Sequence, residues 1–263
     1  MPHALEHSEP PSTVIDLHSH LLPNVDDGSR SFETSVAVLT RFAEQGVECI
    51  VLTPHLNVSR AGDAPYERHL EILEELRAKA PAVPELKLGW EIMLDEPGRD
   101  LRSPQLSLGG SNAVLVEFPL SGVPAQGGEE LYRIRCSGVV PVLAHPERYW
   151  GCSVAKVEHW RKAGAVIQMD TAGLLGKGRI AKISRELLER GLVDLFASDN
   201  HGDSRTLATA RAWLLEVSTP EHADLLTRGN ARRVLDGEAP LPVPLLPPDT
   251  GLFARFREMI LGR

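Results

Sequence analysis

Cysteine is scarce in this 263-residue chain. Cys49, Cys136 and Cys152 are too few and too scattered for a disulfide framework. They also exclude thiol-based phosphate chemistry, which needs an Arg placed so that the loop after the Cys wraps the phosphate. Six residues on, these cysteines meet His55, Val142 and Glu158 instead. A buried apolar role is expected of all three. A surplus of positive charge is missing as well. The 28 Lys and Arg stand against 36 Asp and Glu, a net charge of −8, which argues against a nucleic-acid surface. No run approaches the roughly twenty apolar residues of a membrane span. Met1 to Pro11 is polar, without the apolar core of a signal peptide. The expected address is cytoplasmic, with no nucleic-acid partner and no membrane span.

What is present is an ordinary globular balance, 42% hydrophobic and 24% charged, organised as strand then helix about seven times over. Candidate strands are Val14–Leu17, Val47–Leu52, Leu86–Glu91, Ala113–Glu117, Val139–Ala144, Ala165–Met169 and Val193–Ala197. Candidate helices are Phe32–Gln45, Tyr66–Ala80, Gly128–Cys136, Val154–Ala163, Arg179–Arg190 and Arg205–Val217. Ser31 is placed to cap the first of these, with Gly46 as its stop, and Gly191 stops the Arg179–Arg190 helix. The strands are mostly apolar at consecutive positions, as expected of parallel strands covered on both sides. The expectation is a parallel α/β fold, either open sheet or barrel. From Asp236 to Asp249 prolines accumulate and predict an extended strap. Leu252, Phe253, Phe256, Met259 and Ile260 then share a helical face, expected to dock on the protein's own body.

Five islands rich in His, Asp and Glu follow the strands. They are Asp16-Leu17-His18-Ser19-His20, Asp26-Asp27-Gly28, Thr53-Pro54-His55, Ala144-His145-Pro146-Glu147-Arg148 and Ser198-Asp199-Asn200-His201. His18 and His20 are two apart, so on extended backbone both rings point to one side. Asp199 and His201 repeat the spacing. Pro54 stiffens the turn that presents His55, and His145 also stands beside a proline. Five of the ten histidines thus stand at strand ends, which converge on one face if the sheet closes into a barrel. Glu91 and Glu117, finishing the third and fourth strands, would complete the ring. Imidazole nitrogen with carboxylate oxygen is the ligand set of catalytic zinc, manganese and iron. His3, His7, His69, His159 and His222 lie in a polar tail or in helices and are expected to be solvated or packed.

Taken together, the islands resemble the polymerase and histidinol phosphatase (PHP) superfamily. Within it, the likeness is to bacterial tyrosine-protein phosphatases that accompany capsule and exopolysaccharide synthesis. The stretch Asp16-Leu17-His18-Ser19-His20-Leu21-Leu22-Pro23-Asn24-Val25-Asp26-Asp27-Gly28-Ser29 carries the resemblance, with Thr53-Pro54-His55 and His145-Pro146-Glu147-Arg148-Tyr149. It spans residues 13–236, leaving a polar extension at 1–12 and the strap with its helix at 237–263. It implies a distorted seven-stranded (β/α) barrel of TIM-like kind holding two or three divalent ions. Manganese is the common one, with Fe, Zn, Co or Mg as alternatives. Carried over by position, His18, His20, Glu91 and Asp199 would hold the first ion. Glu91, as a bridge, would hold the second with Glu117 and His145. Asp27, His55 and His201 would hold the third, Asp27 being favoured over Asp26. Asp16 would orient a histidine ligand. Asp170 stands where relatives often show Asn.

The implied reaction is hydrolysis of phosphotyrosine by a metal-activated water, without a covalent enzyme intermediate. Arg148 and Arg205 are the candidates for a phosphate clamp, because guanidinium matches phosphate oxygens in bidentate fashion. The implied partner is the tyrosine-rich tail of a bacterial kinase that controls polysaccharide assembly. Two other readings compete: a small-molecule phosphomonoesterase of the histidinol-phosphate kind, and a metal-stabilised regulatory module without turnover.

Overall fold

Residue alternation along each strand separates the interior of this protein into two layers. In the computed structural model, which describes residues 13–120 and 122–246, Ile15, Leu17, Cys49, Val51, Leu115, Val142, Ala144, Val166 and Leu195 pack into one inner cluster. Their neighbours Val14, Ile50, Leu52, Val114, Val116, Leu143, Ile167 and Phe196 face the helices in a second, outer core. The inner cluster fills the centre of a barrel. The outer one glues the helices to its wall.

The strands are β1 (Val14–Asp16), β2 (Val47–Leu52), β3 (His55–Asn57), β4 (Glu85–Leu88), β5 (Glu91–Met93), β6 (Ala113–Glu117), β7 (Val140–Leu143), β8 (Val166–Asp170) and β9 (Leu195–Ala197). All pair in parallel, in the orders β1-β2-β4 and β3-β5-β6-β7-β8-β9. Since β2 runs on into β3 and β4 into β5, nine strands make seven staves. The ring is closed between β1 and β9. There Asp199 N donates to His18 O at 3.0 Å and His20 N to Asn200 O at 2.8 Å. The fold is therefore a distorted seven-stranded (β/α) barrel.

The expected single strand Leu86–Glu91 is corrected by this arrangement. Pairing lapses where Thr53-Pro54 faces Gly89-Trp90 and then resumes in the same register, Leu52 opposite Leu88 and His55 opposite Glu91. Pro54 has no N–H to give. At Gly89 a Cβ would come within 3.0 Å of Val51 and Leu108 side chains, and both staves break their pairing at this one level. Glu91 consequently opens a strand instead of ending one, and sits directly beside His55.

The larger helices are α1 (Phe32–Glu44), α2 (Tyr66–Lys79), α3 (Gly127–Cys136), α4 (Val154–Lys162), α6 (Gly178–Glu189) and α7 (Leu207–Val217). Ser31 caps α1 by accepting from Thr34 N, and Ser35, Val38, Leu39 and Phe42 form its buried stripe. Gly46 and Gly191 take left-handed φ of +79° and +62° just past α1 and α6. The expected start of the seventh helix at Arg205 is corrected. Thr206 is the N-cap and accepts from Ala208 N, which leaves Arg205 in the preceding loop. The short helices α5 (Thr171–Leu175), α8 (Pro220–Asp224) and α9 (Asn230–Leu235) lack the periodicity that would have announced them. Ala231 and Val234 of α9 join the inner cluster from below.

The strap crosses the end of the barrel where the strands begin. Asn230 clamps it there, donating to Asp194 O at 2.8 Å and Leu241 O at 3.0 Å, while Val243 is buried. The helix expected around Leu252–Ile260 lies outside the described residues, as do His3 and His7. The cysteines correct one expectation: Cys49 is buried and Cys152 half-buried, but Cys136, in the last turn of α3, faces solvent. No helix among the described residues is long and apolar enough to cross a membrane.

Candidate metal centre

The C-terminal ends of the staves deliver the His and acidic islands to one point. Extended backbone after β1 sets the His18 and His20 Nε2 atoms 3.1 Å apart. Asp199 follows β9 with φ +47°, and His145 follows β7 with φ +33°. Left-handed backbone is costly for residues with a Cβ and tends to be retained at functional sites. Here it turns both side chains inward. Asp199 Oδ1 comes to 3.3 Å from His18 Nε2 and 3.2 Å from His20 Nε2. Glu91 Oε2 lies at 3.3 and 3.2 Å from the same two nitrogens.

Glu91 is the hub of the cluster. Its other oxygen lies 2.7 Å from His145 Nε2, and Oε2 lies 3.0 Å from His55 Nδ1. Glu117 stands farther out, 3.9 Å from His145 Nε2 and 3.8 Å from His55 Nδ1. The opposite nitrogen of His55 is 3.2 Å from Asp27 Oδ1, and His201 Nε2 is 3.5 Å from the same oxygen. The structure thus brings together all nine residues expected as ligands. They form overlapping groups: His18-His20-Asp199, His18-Glu91-His145, His55-Glu91-Glu117 and His20-Asp27-His55-His201. The remaining described histidines stay outside: His69 packs on Trp90 with ring centroids 4.7 Å apart, His159 lies in the last turn of α4, and His222 is buried in α8.

The aspartate pair at the Asp-Asp-Gly turn is divided between two tasks. Asp26 is half-buried and takes His20 Nδ1 at 2.7 Å, with Gly28 N at 3.0 Å, so it orients a ring. Asp27, with its side chain 64% exposed, stands at the rim facing His55 and His201. Gly28 is obligatory, because a Cβ there would lie 2.1 Å from His20 O.

The donor set fits divalent cations. Donors bound at about 2.1 Å to one ion stand about 3.0–3.4 Å apart in octahedral or tetrahedral geometry, the spacing seen around His18, His20, Glu91 and Asp199. Charge points the same way. Despite the cost of burial, His18 and the His145 hydrogen bond hold the Glu91 carboxyl well below its usual range. Against the same cost, Asp170 and Glu91 push His145 up to about 10. Burial, then the neighbouring Glu91, lifts Glu117 to about 7. Protons on buried imidazoles therefore balance the carboxylates, and cations would displace them. The cysteines are no alternative: burial lifts the Cys49 and Cys152 thiols to about 12, far from a reactive thiolate.

One expectation about the surrounding residues changes. Asp16 does not touch a histidine ring. Its Oδ1 accepts from the backbone N–H groups of His18 at 3.3 Å and Ser198 at 3.0 Å, tying β1 to β9. Burial lifts its carboxyl to about 6. The ring of His18 is held instead by Gln168 of β8, whose Oε1 is 3.0 Å from Nδ1. Gln168 Nε2 donates to Asp170 Oδ1 at 3.0 Å. That bond fixes the amide orientation, puts the His18 proton on Nδ1 and frees Nε2 for a cation. Arg148 Nη1 closes a polar ring by donating to Asp170 Oδ2 at 3.3 Å and Asp199 Oδ2 at 2.7 Å. Arg205 Nη1 reaches the same Asp199 oxygen at 3.0 Å. Both arginines expected as a clamp thus meet at the outer oxygen of Asp199.

A lone Gln within an apolar strand gave no sequence signal. Replacing it with Leu is expected to weaken metal binding about 10- to 100-fold, the usual cost of losing a partner behind a ligand. Competition against a calibrated chelator measures this, and unchanged affinity would show that the ring needs no such support.

Comparison with known proteins converges on one group. A sequence profile described as "Capsular polysaccharide synthesis, CpsB/CapC" matches residues 14–236. The chain is 29% identical to tyrosine-protein phosphatase YwqE of Bacillus subtilis over 239 residues, covering 84% of this chain and 91% of that one. It is 32% identical to tyrosine-protein phosphatase CpsB of Streptococcus pneumoniae over 213 residues, covering 73% and 85%. A crystal structure from work on those two proteins, described as unique metal-dependent tyrosine phosphatases, superposes with a TM-score of 0.74 at 27% identity. That match covers 89% of this chain and 99% of the other.

Proposed function

The chain belongs to the CpsB/CapC family of capsular polysaccharide synthesis, and from that premise we propose that it is a metal-dependent protein-tyrosine phosphatase. One observation carries the reading. Nine His, Asp and Glu donors converge at the mouth of the barrel, and two arginines meet beside them on Asp199. Such a site suits a doubly negative phosphate monoester.

The proposed ligands are His18, His20, Asp27, His55, Glu91, Glu117, His145, Asp199 and His201. Divalent ions bound there would neutralise phosphate oxygens and make water nucleophilic near neutral pH. The chain's own groups do the rest. Gln168 and Asp26 hold the His18 and His20 rings in register. Asp199 presents Oδ1 to the histidines and uses Oδ2 to aim Arg148 and Arg205. Their remaining N–H groups would grip phosphate oxygens as charge shifts in the transition state. Phenolate, with a pKa of about 10, is a fair leaving group, so a dedicated acid is unnecessary. Arg205 precedes the cap of α7 and is tied through Nε to Asp203 Oδ2 at 2.8 Å.

We further propose manganese as the working metal, a cytoplasmic location, and a kinase tail bearing phosphotyrosine as the natural substrate. The catalytic unit is residues 13–236. The stretch 237–246 runs at the opposite end of the barrel and takes no part in the chemistry.

The test is phosphate release from a tyrosine-phosphorylated peptide and from histidinol phosphate, with manganese and with chelator. Manganese-dependent release favouring the peptide is expected. Preference for histidinol phosphate would keep the metal site and overturn the substrate. Metal binding without release from either would leave a regulatory module.

A further inference from the structure

A large aromatic side chain stands in the open just beyond the phosphate-clamp loop. Trp150 is 72% exposed, in a chain with only four tryptophans. Exposure of this kind on a mobile loop would mean little, but this loop is fastened from three sides. Tyr149 is fully buried, donates to Ala144 O at 2.6 Å and accepts from Phe118 N at 3.2 Å. Trp150 N donates to Leu120 O at 3.2 Å. Arg179 reaches back from α6 to three successive carbonyls, those of Glu147, Arg148 and Tyr149, at 3.3–3.5 Å. The indole is therefore presented by a fixed backbone.

Its surroundings are cationic although the protein as a whole carries a net charge of −8. The Arg179 guanidinium carbon lies over the indole, 5.9 Å from the ring centroid. Lys156 Nζ would sit 3.5 Å from a Cβ at the adjacent Gly151. Trp150 is also continuous with the site, two residues after Arg148, whose guanidinium rests on Asp199. Two residues of chain span at most about 7 Å. An extended peptide advances about 3.3 Å per residue. On that spacing, the side chains the ring would meet are those one to three positions from a phosphotyrosine held at the metals.

We propose that Trp150, with Arg179 behind it, is the shelf that receives the peptide flanking the scissile phosphotyrosine. It favours flanks with aromatic and acidic side chains. The proposal rests on the phosphatase reading and deepens it: the metals and arginines recognise phosphate, and Trp150 distinguishes a protein substrate from a small ester. An open indole face offers apolar contact area at little entropic cost, and the cations beside it complement acidic flanks.

The experiment compares Trp150→Ala and Trp150→Phe with wild type on two substrates, p-nitrophenyl phosphate and a phosphotyrosine peptide with acidic and aromatic flanks. Trp150→Ala is expected to lower peptide kcat/KM about tenfold, through KM. Its kcat/KM on the small ester should stay within about twofold, and Phe should restore most of the peptide preference. Unchanged peptide kinetics in Trp150→Ala would overturn the proposal, as would equal loss on both substrates, which would mark the ring as a support for Arg148. A wild-type dimer that Trp150→Ala dissociates without altering peptide turnover would assign the ring to a self-interface and overturn it too. If wild type hydrolyses the small ester and never the peptide, the shelf fails while phosphoester hydrolysis survives. If wild type hydrolyses neither, the phosphatase reading itself falls and takes the shelf with it.

Discussion

Glu91→Gln is expected to lower kcat on a phosphotyrosine peptide by about a thousandfold or more, and to reduce bound metal at the same time. The substitution keeps size and shape and removes one charge. No other carboxylate in the cluster touches so many histidines: His18, His20, His55 and His145 all lie within 3.3 Å of its oxygens. A Gln amide in that position would aim an N–H₂ at a cation or at a histidine lone pair. The barrel should remain folded, because Glu91 begins a short strand whose backbone pairing with β3 and β6 does not depend on its side chain. Circular dichroism, metal stoichiometry and turnover on the same preparation make the test. Full activity with full metal content would refute the hub role, and unfolding would point to a structural metal instead.

Arg148→Ala is expected to lower kcat by about 100- to 1,000-fold while leaving metal content near wild type, the usual scale for losing one charge-stabilising donor in a buried site. Arg148→Lys should recover little of this. One ammonium could meet Asp170 Oδ2 and Asp199 Oδ2 as Nη1 does, but it lacks the Nε and Nη2 donors that the planar guanidinium keeps for phosphate. Arg205→Ala should cost less, about tenfold, because that side chain is shared with Asp203. The double variant should lose less than the product of the two, since both donors meet the same Asp199 oxygen. Steady-state kinetics of the four proteins decide it. A loss confined to KM would show that the arginines bind substrate without favouring the transition state, and metal loss would recast them as supports for Asp199.

These expectations rest on an arrangement that was only partly visible in the linear chain. Local chemistry writes itself plainly. Ser31 before a helical stripe and Gly46 after it bound α1 because capping and left-handed stops act within a few residues. Val47–Leu52 and Ala113–Glu117 are mostly apolar runs, each with a single glutamate, and become β2 and β6 with those same limits. The His pairs are legible for the same reason: spacing of two on extended backbone fixes a common side. Glu91 was legible as a candidate but not as the start of a separate strand, since the lapse at Gly89-Trp90 answers to Pro54 on the neighbouring stave.

By itself, then, the sequence determined the alternation of strand and helix, strands covered on both faces, and a set of His, Asp and Glu donors at strand ends. All of these follow from short-range periodicity and spacing. Only the tertiary structure decided which donors share a centre, that Asp26 supports and Asp27 faces outward, and that Arg148 and Arg205 meet on one oxygen of Asp199. It alone revealed Gln168, which holds His18 from 150 residues away. Ring closure brings such groups together, and closure is a property of all seven staves at once, so no local window carries its signature.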